Sequence, residues 1–277
     1  MWKNRLCLGL SESFGISYEE QIKLIKSAGF DAFFIEWDPE KICAVANAGR
    51  EHGLIFQSIH APFHKSADFW NEDEEKGTAV VDELLACLKD CVKYQVPIMI
   101  VHAFLGFGDH TPTKIGIERF GKVVAEAEKC GVKIAFENTE GEEYLFALMD
   151  KFKSTDAVGF CWDSGHEMCY NHSQDLLARF GDRLIATHIN DNLGISDYEG
   201  KITWLDDLHL LPFDGIADWE YNAERLKNCG YDGILTFELT RFSKPNRHEN
   251  DCYMDMPIEQ YISEVYKRAC RVAGKIK

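Results

Sequence analysis

The chain has 277 residues, 45% of them hydrophobic, and a formal net charge of −16 from 30 Lys and Arg against 46 Asp and Glu. The length suits one α/β barrel, and the charge repels a polyanion at long range, which counts against nucleic acid as a partner. No apolar run approaches the roughly 20 residues that span a bilayer and the start, Met-Trp-Lys-Asn-Arg-Leu-Cys, has no secretory apolar segment, so a soluble, cytoplasmic protein without membrane contact is expected.

Taken in order, an apolar run over 6–10 predicts the first strand, and Ile22, Leu24, Ile25 and Ala28 give helical spacing over 18–28 with a stop at Gly29. A second strand over 31–37 leads to Pro39, which opens a helix through Arg50 that Gly53 closes. The third run, 54–60, ends in His60; an acidic loop and a helix over 79–94 follow, and then a fourth run, 97–102, ending in His102. Further units pair a helix over 114–129 with a strand over 132–137, a helix over 143–152 with a strand over 158–163, and a helix over 174–180 with a strand over 184–188. A helix over 219–228, a strand over 233–238 and a helix over 258–273 complete the chain. The ten cysteines are scattered through these elements without a CxxC pair, so disulfides are not expected.

Apolar strands without alternation belong to parallel sheets covered on both faces. Eight such strand-then-helix units predict an α/β fold, a single (β/α)8 TIM barrel over 1–277; a doubly wound sheet is the weaker option, because no glycine-rich phosphate loop follows the first strand. The connections 63–76, 190–217 and 241–257 all follow strands and are too long for turns, which places them over the C-terminal mouth where such barrels keep their sites.

Most strands end in a chemically active side chain: Glu36, His60, His102, Glu137, Asp163, His188 and Glu238. Alone, a histidine at a strand end is as often structural, but a barrel gathers all of these around one axis. Several carboxylates brought together require positive charge. Glu137, Asp163, His188 and Glu238 offer three oxygens and one nitrogen, a set suited to Mn2+, Co2+ or Mg2+ and acceptable to Zn2+. Glu36, Trp37 and Arg241 are candidate substrate contacts, Arg241 being the one basic residue placed to hold an anionic group. Trp37, Phe104, Phe107 and Trp204 fall in mouth loops, where they either pack on sugar C–H surfaces or close the barrel top.

Five segments carry a family resemblance: Ile59-His-Ala-Pro62, Phe136-Glu-Asn-Thr139, Gly159-Phe-Cys-Trp-Asp-Ser-Gly-His166, His188-Ile-Asn-Asp191 and Asp207-Leu-His-Leu-Leu-Pro-Phe-Asp-Gly-Ile-Ala-Asp-Trp219. Together they resemble the xylose-isomerase-like barrel superfamily, which holds sugar isomerases, ketose 3-epimerases, inosose dehydratases and the endonuclease IV type of abasic-site nuclease. The resemblance to the epimerases implies Glu137, Asp163, His188 and Glu238 as ligands of a divalent metal, Glu137 and Glu238 doubling as acid and base, and His166 as a substrate contact. The resemblance to endonuclease IV implies further metals, since matching residue types stand at His60, His102, His166, Asp207 and His209 as well.

Three features favour a sugar enzyme. The segment ending at Trp219 has the sugar enzymes' form with Phe213 where glycine is common, the loop residues Asn71-Glu-Asp-Glu-Glu75 are acidic, and Trp162 stands where the nucleases prefer a smaller aliphatic residue. The expectation is therefore a divalent-metal-dependent isomerase or epimerase acting on a ketose, polyol-ketone or related sugar. Proton transfer between Glu137 and Glu238 through a metal-stabilised enediolate would carry the reaction. An inosose-dehydratase-like lyase, a zinc phosphodiesterase on abasic DNA and a non-catalytic sugar-binding barrel are the alternatives. Barrels of this kind often pair, so a homo-oligomer is expected, with 241–257 as the candidate contact.

Overall fold

The computed structural model describes residues 3–108 and 111–276. Eight strands, β1 Leu6–Gly9, β2 Ala32–Glu36, β3 Ile55–His60, β4 Ile98–His102, β5 Lys133–Glu137, β6 Val158–Asp163, β7 Leu184–His188 and β8 Leu235–Phe237, form one sheet in which sequence neighbours pair and β8 returns to β1. All seven ladders are parallel. A parallel bridge between Ile189 and Phe237, with Ile189 N–H donating to Thr236 O at 2.7 Å, joins the two remaining edges. The sheet thereby closes into a (β/α)8 barrel.

The helices are α1 Tyr18–Ala28, α2 Ile42–Glu51, α3 Glu74–Tyr94, α4 Lys114–Cys130, α5 Glu142–Lys151, α6 Ser164–Cys169, α7 Leu176–Phe180, α8 Trp219–Asn228, α9 Asp251–Met254 and α10 Ile258–Lys275. Helix α1 begins on a capping box, in which Ser17 accepts from Glu20 N–H while the Glu20 side chain reaches back to Ser17, and it ends at Gly29 with φ 115°. Several boundaries differ from the sequence expectation for local reasons. The acidic run at 71–75 is partly helical: Asp73 caps α3, and Glu74 and Glu75 lie in its first turn, where the helix dipole favours negative charge. Pro39 opens a turn, and α2 begins only at Ile42. Helices α6 and α9 were not expected, because each is too short to show apolar periodicity.

Strand alternation is present but hidden from the sequence, since both faces are apolar. Outward residues such as Val101, Phe136, Phe160 and Trp162 join the main core between sheet and helices. Their neighbours Ile100, Ala135, Cys161 and Ala186 form a separate small cluster inside the barrel. Two residues further along, each of these strands ends in an inward polar group: His102, Glu137, Asp163 and His188. Register sets these ends side by side, His102 opposite Glu137 and Asp163 opposite His188. Small side chains in the inner layer thus form the floor of a polar cup.

The connection from β3 to α3 is held by Arg119 of α4, whose guanidinium donates to the carbonyls of Asp68, Phe69, Asn71 and Asp73 at 2.7–3.1 Å. Gly77 makes this possible, because a Cβ there would lie 1.9 Å from the Arg119 guanidinium carbon. No helix among the described residues is long and apolar enough to cross a membrane.

Candidate metal centre

Glu137 lies at the middle of the cup with no solvent exposure. Its Oε1 is 3.0 Å from His188 Nδ1 and 3.4 Å from His166 Nδ1, and its Oε2 is 3.4 Å from both His60 Nε2 and His102 Nε2. Glu238, one residue beyond β8, brings Oε2 to 3.1 Å from His188 Nδ1. Asp163 completes the set: the ligand-type atoms of Glu137, Asp163, His188 and Glu238 all lie within 4.8 Å of one another.

The backbone around Asp163 is arranged to hold its carboxylate still. Asn138 pairs with the Asp163 backbone in both directions, accepting from N–H at 2.8 Å and donating to the carbonyl at 2.9 Å. One carboxylate oxygen accepts from His166 N–H at 2.7 Å, which makes Asp163 the cap of α6, and the other accepts from Asn190 Nδ2 at 2.9 Å. Gly165 allows the Asn190 amide this close, since a Cβ there would sit 1.9 Å from Asn190 Oδ1. Phe34 stacks on His188 at 4.9 Å between ring centroids and fixes the imidazole plane.

Asp207 and His209 come from the connection after β7 and are brought in by Asp191. The Asp191 carboxylate accepts from Phe213 N–H, Ala217 N–H and Trp219 Nε1 at 2.8–3.0 Å, and its backbone exchanges two hydrogen bonds with Leu210. The chain turns sharply here, with His209 at φ 46° and Phe213 at φ 76°, backbone conformations that cost energy for side-chain-bearing residues and concentrate at functional sites. Asp207 Oδ1 is then 2.9 Å from His209 Nε2 and 3.4 Å from His166 Nε2.

Burial and proximity govern protonation. Burial would push the Glu137 carboxyl up, yet the His188 charge and the surrounding imidazoles hold it well below the usual carboxylate range. Glu238 behaves alike and is brought down to about 2, chiefly by His188. Asp163 goes the other way, to about 6, because burial and the charge of Glu137 outweigh His166. His60 and His102 face the same Glu137 oxygen with their Nε2 atoms 3.1 Å apart. Two cations cannot share that space: burial lowers His102 to about 4, while Glu137 raises His60 against its own burial penalty.

The cup fits a divalent cation. Three carboxylates and an imidazole converge on one point; Glu137 Oε2 and Asp207 Oδ1 have imidazole nitrogens nearby but no hydrogen bond of good geometry, and the buried His188 Nε2 and His102 Nδ1 have none among the described residues, an arrangement that is costly unless a cation or solvent meets it. Two further groupings share the cup, His60 with His102 and Glu137, and His166 with Asp207 and His209.

Above the cup lies an open cavity of about 240 Å³, room for a small ligand. Glu36, Glu238, His102, His166 and Asp207 line it, together with two residues the sequence had not singled out, Glu140 and Tyr170. Trp37 and Arg241 do not reach it. Trp37 Nε1 donates to Asp90 on α3, and Arg241 Nη2 is spent on the carbonyls of Tyr253, Met254 and Met256 at 2.6–2.9 Å. The expected anion-holding role of Arg241 is thereby replaced by a structural one, tying the start of the loop 241–257 to its far end at Tyr253–Met256. Phe104 is buried and stacks on Tyr144, whereas Phe107 and Trp204 are half exposed at the rim. Asn138 and Asn190 had no signal beyond their places within the motifs, and Glu140 only its position three residues after Glu137.

The family model described as xylose isomerase-like TIM barrel matches residues 22–255. Among curated proteins, the uncharacterized protein y4fM of Sinorhizobium fredii is 34% identical over 167 residues, 57% of this chain and 45% of that protein. The chain spans less than half the length of the curated relatives it matches. Among solved structures, the IOLI protein with a zinc atom superposes with a TM-score of 0.76 at 21% identity, covering 99% of both chains. The 3-keto-D-glucoside 4-epimerase YcjR from E. coli gives 0.68 at 17% identity, covering 94% of this chain and 99% of that one. At these identities the structures show a shared fold, while the family model, matching most of the length, settles membership: the chain belongs to the xylose isomerase-like TIM barrel family.

Proposed function

We propose that this protein is a divalent-metal-dependent sugar isomerase or epimerase. The observation that carries the reading is the set Glu137, Asp163, His188 and Glu238, converging on one point beneath a cavity of small-molecule size. These four residues would hold the cation, which when bound supplies Lewis-acid polarisation of a substrate carbonyl and its neighbouring hydroxyl. Mn2+, Co2+, Mg2+ and Zn2+ all suit the donor set.

The protein's own groups then move the proton. Glu238 lines the cavity and is ionised, with His188 holding it so, which equips it to accept a carbon-bound proton next to the carbonyl. Glu137, also ionised but set deeper among four imidazoles, is the second member of the pair. Return of the proton to the opposite face of the same carbon gives epimerisation, and to the adjacent carbon gives isomerisation. Positioned acid–base groups of this kind contribute about 10²–10⁴ in rate. Glu36 and His166 reach the cavity and are assigned to substrate hydroxyls.

A second reading, a multi-metal phosphodiesterase, is favoured by the two additional groupings His60–His102–Glu137 and His166–Asp207–His209. Metal analysis of protein purified without added metal or chelator decides between them. About one divalent ion per chain, lost in Asp163→Asn, with deuterium wash-in from D2O into a ketose or inosose, supports the sugar enzyme. Two or three zinc ions per chain and nicking of an abasic duplex would replace it.

A further inference from the structure

A fourth grouping of donor atoms lies one layer deeper than the cup. Cys161 stands two residues before Asp163 on β6, inside the barrel with Ile100, Ala135 and Ala186 as apolar neighbours. In the ladder between β5 and β6 it is the partner of Glu137. Its Sγ, a carboxylate oxygen of Glu137 and a ring nitrogen of His188 all lie within 4.8 Å of one another. None of the three residues has solvent exposure, and none lines the cavity. His188 turns Nδ1 to Glu137 and Glu238, while its buried Nε2 has no hydrogen-bond partner among the described residues.

Spacing, charge and donor type all suit an ion here. Donors about 2.0–2.3 Å from a common cation stand up to roughly 4.6 Å apart, so a small adjustment closes this set around one ion. Glu137 is able to give both oxygens, which brings the donor count to the four that zinc prefers. A divalent ion with one carboxylate and one thiolate is neutral, as an apolar layer requires, whereas three carboxylates leave an ion in the upper set with excess negative charge. Carboxylates suit Mg2+ and Mn2+, and a thiolate favours softer ions. Glu137 and His188 belong to both sets, so occupation of one position strips the other of two ligands.

We propose that Cys161, Glu137 and His188 form a second metal position that takes a thiophilic ion, Zn2+ or Cd2+, and competes with the upper position for Glu137 and His188. The sulfur binds as thiolate, its proton passing to solvent. An ion held there lacks Asp163 and Glu238, stays away from the cavity and leaves the upper position empty. This rests on the metal-enzyme reading of the cup, but it is tested by binding and spectroscopy and not by turnover.

The parent protein for the test carries Cys43→Ser and Cys252→Ser, which remove the two exposed thiols among the described residues. Stripped of metal, it is titrated with Cd2+ and, separately, with Mn2+. Cd2+ is expected to raise an ultraviolet thiolate-to-metal charge-transfer absorption that saturates at one ion per chain and is suppressed by excess Mn2+. Cys161→Ser and Cys161→Ala are each expected to lose that absorption and to bind Cd2+ about tenfold or more weakly, while Mn2+ affinity moves less than about threefold. Retained Mn2+ binding also shows that the variants keep a folded cup. Stoichiometric Cd2+ binding without the absorption, or absorption that survives both Cys161 substitutions, would overturn the proposal. So would Cd2+ and Mn2+ bound together without competition, or affinities for the two ions that fall together in both variants. Failure to bind either ion would remove the metal-enzyme reading as well, whereas Mn2+ binding with proton exchange but no Cd2+ absorption would remove this inference alone.

Discussion

The two sides of the cup are built by different means. His60, His102, Glu137, Asp163 and His188 are each the last residue of a strand, and all are 8% exposed or less. Asp207 and His209 ride on a 30-residue-scale excursion between β7 and α8, with side chains 16% and 17% exposed. The first group is placed by ladder register, which a neighbouring strand enforces on both sides. The second is placed by the Asp191 carboxylate and a strained turn at His209 and Phe213. A ligand fixed by the sheet cannot move without opening the barrel, whereas one fixed by a loop can be lost or repositioned at small cost.

That contrast sets the order of the expected effects. Asp163→Asn, on the sheet side, is expected to remove the bound divalent ion and lower kcat/KM by about 10³-fold or more, several kcal/mol of transition-state stabilisation; metal analysis with steady-state kinetics measures both. Retention of a full metal complement would mean that the sheet-borne set is not the primary site. Asn138→Ala leaves every ligand in place but removes both hydrogen bonds to the Asp163 backbone. A loss of about 10–100-fold in metal affinity is expected, as for other groups that orient ligands, read by competition against a chelating dye.

His209→Ala, on the loop side, is expected to leave one ion per chain and lower kcat/KM only about tenfold. A fall in metal content as large as that of Asp163→Asn would erase the distinction between the two sides.

The smallest effect concerns the wall. Glu140 is raised to about 7 from an ordinary 4.5, by burial first and by the Asp207 charge, against the opposing influence of its own backbone N–H, the His166 charge and Gly106 N–H. The folded state therefore keeps a proton that the unfolded chain has lost between those two values. Stability accordingly falls as pH rises through that window, and the penalty is complete above about pH 7. Glu140→Gln removes it, so the Tm of the variant relative to the parent is expected to be higher at pH 8 than at pH 5 by about 2 °C or more. An unchanged difference across that range would place the Glu140 carboxyl in solvent contact.

Much of this was legible beforehand for physical reasons that differ between elements. Helices α1 and α8 and strand β7 have the expected bounds, because capping residues, a stop glycine or a clean apolar run mark both ends. Strand β8 is shorter than the apolar run around it, Leu235–Phe237, since pairing geometry and not composition ends a strand. The cap that turns Asp163 into the start of α6 was readable only as Asp-Ser-Gly-His within a motif, with no periodicity to announce a helix.

By itself the sequence determined the barrel and most of the chemistry of its mouth, because eight apolar runs ending in His, Asp or Glu can bury their faces and gather their ends in few other ways. Which of those side chains share a point in space was decided only by tertiary structure. Register placed His102 against Glu137 and Asp163 against His188, and Asp191 folded Asp207 and His209 into the same cup. Packing also diverted Trp37 to Asp90 and Arg241 to the carbonyls of the loop 241–257. It buried Glu140 at the cavity wall. A side chain's type is written in the chain, but its partners come from distant segments that only the closed barrel brings together.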